Sequence, residues 1–341
     1  MGGPPEQRGP RRPPGGGEPR RPGTSVRAVV LTHRRPRLAT DVVRSLVETE
    51  GLAPSSVTVV VNGEGGLDDP GLESAVDLVR LVENSGPAGG FRAGLERAFA
   101  DPEVEWAYLC EDDVLLFDLP TPRLGDLLER VGDATRDDGP PVGAVVPHGR
   151  RFAGRGAHAL NVVPQPGDPT DLVPVDVAGW GATLVSRAVF EAGVLPDPAW
   201  FFGLEDVDFF CQVRRAGFAV LLDGRAARAV ASQMTNSGRS EALRDHRPTD
   251  ADEPWRSYYH ARNSIELIRR HGRPSWFAWQ ALYSARHLQL ARSWAERRAI
   301  LHGLWDGARG RLGKHPSYVR SVGELGGPDG SQTASGPAAG T

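Results

Sequence analysis

The 341-residue sequence predicts an α/β fold with a mostly parallel sheet, followed by a C-terminal helical region. Two short runs of β-branched residues, 26–32 (VRAVVLT) and 57–61 (VTVVV), have the continuous hydrophobicity of strands that are buried on both faces. Between them, apolar residues of 37–51 recur at helical spacing and stop at Gly51. A β-α-β unit of this kind is the building block of parallel sheets.

Three further strands are predicted along the chain, at 77–84 (DLVRLVEN), 106–113 (WAYLCEDD) and 142–147 (VGAVVP). A helix is expected to begin near Gly89 and to run through GFRAGLERAFAD. In an open sheet of parallel strands, ligands bind beyond the carboxyl ends of the strands. The loops at those ends are therefore the first place to look for a site.

Polar residues fill these loops. Thr32 and Arg34 follow the first strand, and Asn62 and Glu64 follow the second. The segment 84–90 (NSGPAGG) precedes the next helix, and three acids end the fourth strand. Because all of these loops meet at one rim of the sheet, a shared ligand site is favoured over unrelated turns.

The three acids are Glu111, Asp112 and Asp113, and they interrupt the apolar run 106–117. Adjacent carboxylates at the edge of a core repel one another unless a cation neutralises them. Carboxylates combined with phosphate oxygens are the usual ligands of Mg²⁺ and Mn²⁺. The alternative is a solvated turn without a metal.

A second group of acids, Glu205, Asp206 and Asp208, occupies the first turn of a helix predicted within 203–217. Acids in a first turn also stabilise the helix dipole, which is the structural alternative. Aromatic residues nearby supply flat apolar surfaces of the kind that line sugar pockets: Trp180, Trp200, Phe201 and Phe202.

Several function classes are disfavoured. The first strand is followed by THRRPR instead of the glycine-rich fingerprint of dinucleotide-binding proteins, and no P-loop motif occurs. Cys110 and Cys211 are far apart, so neither a disulfide framework nor a zinc site is indicated. We find no apolar segment of leader or membrane-span character, so we expect a cytoplasmic protein.

The charge is uneven along the chain. Residues 25–254, predicted to form the catalytic domain, carry −14, whereas 255–320 carry +10 and ten aromatic residues. This basic aromatic helical region fits attachment to an anionic membrane surface on the cytoplasmic side, and equally fits helices that pack on the acidic body. Nucleic acid is disfavoured as a partner because no binding motif accompanies the charge. Residues 1–24 and 321–341 are expected to be disordered tails.

Seven motifs in order give the chain a resemblance to a known family: VVLTHRRP, VVVNGEG, ENSGPAGGFRAG, EDDV, GWGATLVSR, FFGLEDVDFFCQVRRAGF and WRSYYHARN. The sequence resembles the inverting family 2 glycosyltransferases with a GT-A fold, most closely the branch of galactofuranosyltransferases and rhamnosyltransferases. The resemblance covers roughly residues 26–313. It implies a nucleotide-diphosphate sugar donor, such as a UDP- or dTDP-sugar, and a glycan, lipid-linked or natural-product acceptor.

The resemblance also implies a role for individual residues. Asp113 and Glu111 would hold Mg²⁺ or Mn²⁺ on the donor diphosphate. Asp206 would be the general base, beside Glu205, and His260 would lie close to that base. The donor pocket would be formed by Thr32, Arg34, Asn62, Glu64, Gly89, Gly90, Asp112 and Trp180.

One departure affects the metal. Many relatives place a metal-binding histidine after the helix of the second acidic motif, where this chain has Ser232 and Gln233. Two interpretations from other classes stay open: a nucleotidyltransferase of similar fold and a non-catalytic sugar-binding module.

Overall fold

The computed structural model describes residues 26–113, 124–135, 139–152, 159–162, 171–229, 254–272, 274–291 and 293–318. Within these residues the predicted α/β class is confirmed, as a large mixed sheet, mostly parallel, with helices at the C-terminal end. Both predicted tails, the segment 114–117 and the positions of Ser232 and Gln233 lie outside the described residues.

The strands within this part of the chain are β1 (Val26–Thr32), β2 (Val57–Asn62), β3 (Asp77–Leu81), β4 (Trp106–Glu111), β5 (Val142–Val146), β6 (Gly149–Phe152), β7 (Ala159–Val162), β8 (Leu172–Pro174), β9 (Val177–Ala178), β10 (Thr183–Ser186) and β11 (Ala219–Asp223). The helices are α1 (Pro36–Glu48), α2 (Pro70–Ala75), α3 (Gly86–Phe99), α4 (Leu124–Ala134), α5 (Arg187–Glu191), α6 (Glu205–Arg215), α7 (Pro254–His271), α8 (Pro274–Leu290) and α9 (Trp294–Ala308).

The main sheet has the order β3-β2-β1-β4-β10-β5-β11-β8. The first four of these strands are mutually parallel, whereas β10 runs antiparallel to both of its neighbours. Leu31 of β1 pairs with Glu111 of β4, and Thr32 pairs with Val61 of β2. The carboxyl ends of β1, β2 and β4 therefore meet at one edge, as the strand predictions required.

The sheet is buried on both faces because its strands alternate their side chains. Val29 and Leu31 of β1 pack into a core under α3, whereas Ala28 and Val30 pack into a second core under α1 and α4. This two-sided burial explains the continuous apolar runs in the sequence.

Helix α3 begins at Gly86, three residues before the predicted start. The segment predicted as a loop forms the first turn, because Gly86 adopts a φ of 73° and proline stands at the start of the helix. A Cβ at Gly90 would collide with Leu31, and one at Gly94 would collide with Val29. The glycines of this helix therefore allow it to lie close on β1.

The predicted C-terminal helical region consists of α7, α8 and α9. Helix α7 packs on the α/β body, where Asn263 Nδ2 donates to the carbonyl oxygens of Phe202 and Gly203 at 2.8 and 2.7 Å. Arg262 Nη2 donates to the carbonyl oxygen of Trp200 at 2.7 Å. These contacts hold the loop that leads into α6. The division into a 25–254 domain and a 255–320 region stays a prediction.

Candidate active site

Asp112 is the buried member of the acidic motif at the end of β4. It accepts a hydrogen bond from the Thr32 hydroxyl at 2.8 Å, and Arg35 Nη2 lies 2.9 Å from its Oδ1. Burial nevertheless raises the pKa of Asp112 to about 6, against the opposing effect of Arg35. Thr32 and Asp112, both predicted donor residues, thus join the ends of β1 and β4.

Asp113 faces outward from the same turn, with 53% of its side chain exposed, and Arg35 Nη1 lies 2.7 Å from its Oδ2. The neighbouring Arg34, which was the arginine predicted for the donor pocket, instead pairs with the exposed Glu64 at 2.9 Å. Arg34 adopts a φ of 58°, and this turn directs the two arginines to different partners. The feature of the sequence that could have identified Arg35 as a site residue is its position directly before α1.

Glu111 precedes these two residues at the last position of β4. Burial raises the pKa of Glu111 to about 8, and the negative charges of Asp113, Asp206 and Asp112 add to that effect. Asp206 lies 95 positions further along the sequence, at the start of α6. The two acidic motifs predicted from the sequence therefore come together in one site.

Glu205 and Asp206 form the first turn of α6. Burial and the charge of Asp206 raise the pKa of Glu205 well above its usual range, with Glu111 contributing in the same direction. Burial also raises the pKa of Asp206, whereas the charge of Arg150 opposes that rise. The carboxylates of this site therefore outnumber the guanidinium groups, Arg35 and Arg150, that compensate them.

The lack of a side chain at Gly179 lets His148 and Asp206 lie close to the backbone at this position. A Cβ at this position would lie 2.9 Å from His148 Nε2 and 3.3 Å from Asp206 Oδ2. His148 keeps part of its surface in solvent, although burial lowers its pKa to about 4, and it stands after β5, at the same edge of the sheet as the acidic residues. His148 and Arg150 were not among the predicted site residues, because each stands in a segment without a recognisable motif.

Asp208, the third acid of the α6 motif, has a different environment. It is fully buried, and its Oδ1 lies 2.6 Å from His271 Nε2 of α7. Its other oxygen accepts a hydrogen bond from Gln212 at 2.6 Å. Asp208 thus fastens α6 to α7.

Three predicted donor residues have contacts that explain them structurally. The Asn62 side chain donates to the carbonyl oxygen of Gly86 at 3.0 Å and accepts from the Ser85 amide at 2.9 Å, so it joins β2 to α3. A Cβ at Gly89 or Gly90 would collide with Ser85 or Leu31. Packing of α3 therefore explains why these two positions are glycine. Their part in binding the sugar donor stays a prediction.

Two further predicted residues lie apart from the open side of the site. Trp180 is 4% exposed and packs against Phe91 and Phe209, with its ring in the core. It is also close enough to Glu205 to favour the charged carboxylate. His260 of α7 stacks on His287 of α8 at a centroid distance of 6.2 Å. Among the described residues, no contact links His260 to Asp206.

No family profile matches the sequence, and no curated protein matches it. The solved structures that are similar in part include the following two. One is GalNAc-T7 with UDP, GalNAc and Mn²⁺, with 13% identity and a TM-score of 0.44, over 58% of this chain and 41% of that chain. The other is A197 from STIV, with 15% identity and a TM-score of 0.32, over 58% and 82%. Scores this low identify neither a fold family nor an activity for this chain.

Proposed function

We propose that the chain is an inverting glycosyltransferase, which moves a sugar from a nucleotide-diphosphate sugar to an acceptor hydroxyl. The observation that carries this proposal is that Asp206, at the start of α6, is near enough to Glu111, at the end of β4, for its charge to raise the pKa of Glu111. Displacement at a sugar carbon needs one group that removes a proton and another that balances charge on the leaving diphosphate. Two acidic motifs in one site can divide these tasks.

Asp206 is proposed as the general base. Its side chain is only partly buried and lies near His148, so an acceptor hydroxyl could approach it. Arg150 favours the ionised form of Asp206, which is the form that can accept a proton. Glu205 is buried behind it and has the higher tendency to stay protonated.

Glu111 and Asp113 are proposed to hold Mg²⁺ or Mn²⁺. The residues of this site fit such an ion, since their ligand atoms are all oxygens. Their carboxylates also carry more negative charge than the neighbouring arginines balance. Asp112 is buried and held by both Thr32 and Arg35, whereas Asp113 is half exposed and pairs with Arg35 at the surface, so Asp113 is the carboxylate that can turn toward the sugar donor. When bound, the ion would neutralise charge on the diphosphate as it departs.

The test is the product released from the donor. We would incubate the full chain and Mn²⁺ or Mg²⁺ with a panel of UDP- and dTDP-sugars and with glycan, lipid-linked and natural-product acceptors. Free nucleoside diphosphate, formed only without excess chelator, is the expected product. Release of pyrophosphate from a nucleoside triphosphate would instead identify a nucleotidyltransferase. Sugar-nucleotide binding without turnover would identify a non-catalytic module.

We further propose that α8 and α9 attach the protein to an anionic membrane surface on the cytoplasmic side. Eight of the ten large apolar residues found exposed in the described part of the chain lie within 277–305. On each helix they share an exposed face with arginine: Trp279, Leu282, Arg286 and Leu290 on α8, and Trp294, Arg297, Arg298, Leu301 and Trp305 on α9.

Faces of this composition are typical of helices that lie in a membrane interface. A lipid-linked acceptor, which the family resemblance includes, would be reached there. Across the described helices, none has the length and hydropathy needed to cross a bilayer.

A further inference from the structure

Three possible metal ligands meet near the C-terminal end of the described chain, away from the acidic site. They are His302 and Asp306, one turn apart on α9, and His315 in the segment after it. One ligand atom from each lies within 4.8 Å of the other two. His302 Nε2 is 3.4 Å from Asp306 Oδ2, and the two histidine rings have a centroid distance of 5.0 Å.

The Asp306 carboxylate is incompletely compensated. Only 2% of Asp306 is exposed, and its Oδ2 accepts a hydrogen bond from the Tyr258 hydroxyl at 2.8 Å. Its Oδ1 accepts no hydrogen bond from the residues that the structure describes, and the Arg311 Nη1 atom lies 3.5 Å away on a side chain that is 63% exposed. A buried carboxylate in this condition is stabilised by a cation at short range.

The two imidazoles have outer contacts that bear on ligation. His302 Nδ1 lies 3.2 Å from the Tyr318 hydroxyl, whose oxygen can accept a hydrogen bond from Nδ1–H. In that tautomer the Nε2 lone pair is directed at Asp306. His315 Nδ1 accepts from the Ser317 amide at 3.2 Å. If His315 ligates a metal through Nε2, its Nδ1 carries the ring proton and can no longer accept this long hydrogen bond. The His315 backbone would stay in place through the bond from its amide to the Tyr259 hydroxyl at 2.8 Å.

We propose that His302, Asp306 and His315 bind a divalent cation of the Zn²⁺ class, with water completing the coordination. Two imidazoles and one carboxylate favour Zn²⁺ over Mg²⁺ and Mn²⁺, which suit the oxygen ligands of the acidic motif. The site is independent of the proposed glycosyl transfer, because none of its residues belongs to that site.

The cation would connect α9 to the segment 311–318. This segment contacts α7, where Arg262 Nη1 donates to the carbonyl oxygen of Gly313 at 2.5 Å. Arg262 also donates to Trp200, in the loop that leads into α6. A structural ion here would therefore stabilise the C-terminal segment together with the helix that supports the acidic site.

The first test uses Zn²⁺ alone as the probe. The metal is titrated into the metal-stripped full chain in competition with a chromophoric chelator. The chain carries Asp113→Ala, because this substitution weakens metal binding at the acidic site. We expect this protein to bind one equivalent of Zn²⁺ with a Kd below about 1 µM. His302→Gln and His315→Gln should each weaken it more than about 100-fold, beyond the usual effect of an outer-shell change. His287→Gln removes an imidazole from α8 outside the cluster and should leave the Kd unchanged.

Co²⁺ gives a second measurement on the unmodified chain. Low-coordinate nitrogen and oxygen ligation gives an intense visible absorption band, whereas six oxygen ligands give a weak one. We expect the intense band, and we expect Asp306→Asn to remove it while the circular dichroism is retained. No submicromolar Zn²⁺ equivalent, an unchanged Kd in both histidine variants, or a weak Co²⁺ band in the unmodified chain would overturn the proposal.

Discussion

Arg35 Nη1 lies 2.7 Å from Asp113 Oδ2, and the second terminal nitrogen of the same guanidinium lies 2.9 Å from Asp112 Oδ1. The positively charged guanidinium of Arg35 thus lies beside the Asp113 carboxylate, which we propose as a metal ligand. The Arg35 side chain is 44% exposed, so it can leave this position without breaking the core. We therefore expect Arg35 and a divalent ion to compete for Asp113.

Replacing Arg35 by Gln should tighten Mn²⁺ binding to the donor-free protein. The substitution removes the ion pairs of Arg35 with Asp112 and Asp113, which together contribute about 1 kcal/mol. Without this competition, the Kd for Mn²⁺ should be about threefold to tenfold lower. Electron paramagnetic resonance of free Mn²⁺ measures this directly. Arg34→Gln is the matched control, because Arg34 pairs with Glu64 instead. Weaker Mn²⁺ binding in Arg35→Gln would contradict competition.

The metal-free protein should lose stability as the pH rises from about 4.5 to about 8, the ordinary and folded pKa values of Glu111. In this range the folded protein holds a proton that the unfolded chain has released, so the free energy of unfolding falls with pH. The raised pKa values of Asp112 and Glu205 act in the same direction.

Urea unfolding at a series of pH values, in chelator, tests this expectation. Glu111→Gln should reduce the dependence on pH without abolishing it. Glu96→Gln, at an exposed ion pair of α3, should leave the dependence as it is. An identical slope in Glu111→Gln and the unmodified chain would show that Glu111 is not the proton-binding group.

Gly179→Ala should impair transfer. The added methyl group would lie 2.9 Å from His148 Nε2 and 3.3 Å from Asp206 Oδ2, so both side-chain ends must move. Misplacing a catalytic group by about 1 Å costs about 10²-fold, and Asp206 must move by only a few tenths of an ångström, so we expect a measurable loss in kcat that stays below about 10²-fold. Gly132→Ala in α4 is the control, since its Cβ would meet nothing within 4 Å. Equal kcat in both variants would place the acceptor elsewhere.

The exposed faces of α8 and α9 should bind vesicles that contain anionic lipid. Each basic residue near the surface contributes about 1 kcal/mol, and salt screens the attraction. In flotation assays we expect binding to phosphatidylserine vesicles at low salt, reduced in Trp279→Ser with Trp294→Ser. Leu38→Ser, an exposed apolar residue of α1, is the control. Absence of binding at any salt would favour a soluble acceptor and leave these faces for another partner.

Much of the sheet was predictable because its information is local. The continuous apolar runs of β1 and β2 result directly from burial on both faces, and their predicted bounds agree with the structure to within one residue. The start of α3 was predicted three residues late, because a segment with proline and three glycines resembles a loop. The contacts of Gly86 and Gly90 with distant residues, which explain their identity, have no local signature.

The candidate site was predictable only in part. Glu111 stood out because acids interrupt an apolar run, and Asp206 stood out as an acid in the first turn of a helix near aromatic residues. In the structure the charge of Asp206 acts on Glu111. The separate role of Asp208 depends on His271, which is 63 positions away. Arg35 and His148 likewise depend on contacts between distant segments, and neither interrupts a pattern that the sequence shows.

A comparison of Asp206→Asn with Asp208→Asn tests the central claim most directly. Both changes remove one carboxylate from the first turn of α6, but Asp206 is partly accessible near His148, whereas Asp208 is fully buried against His271. Single-turnover release of nucleoside diphosphate would be measured beside donor affinity and thermal stability. We predict that Asp206→Asn lowers transfer by about 10² to 10⁴ at unchanged donor affinity, whereas Asp208→Asn mainly lowers stability. Full activity in a folded Asp206→Asn protein would contradict the account.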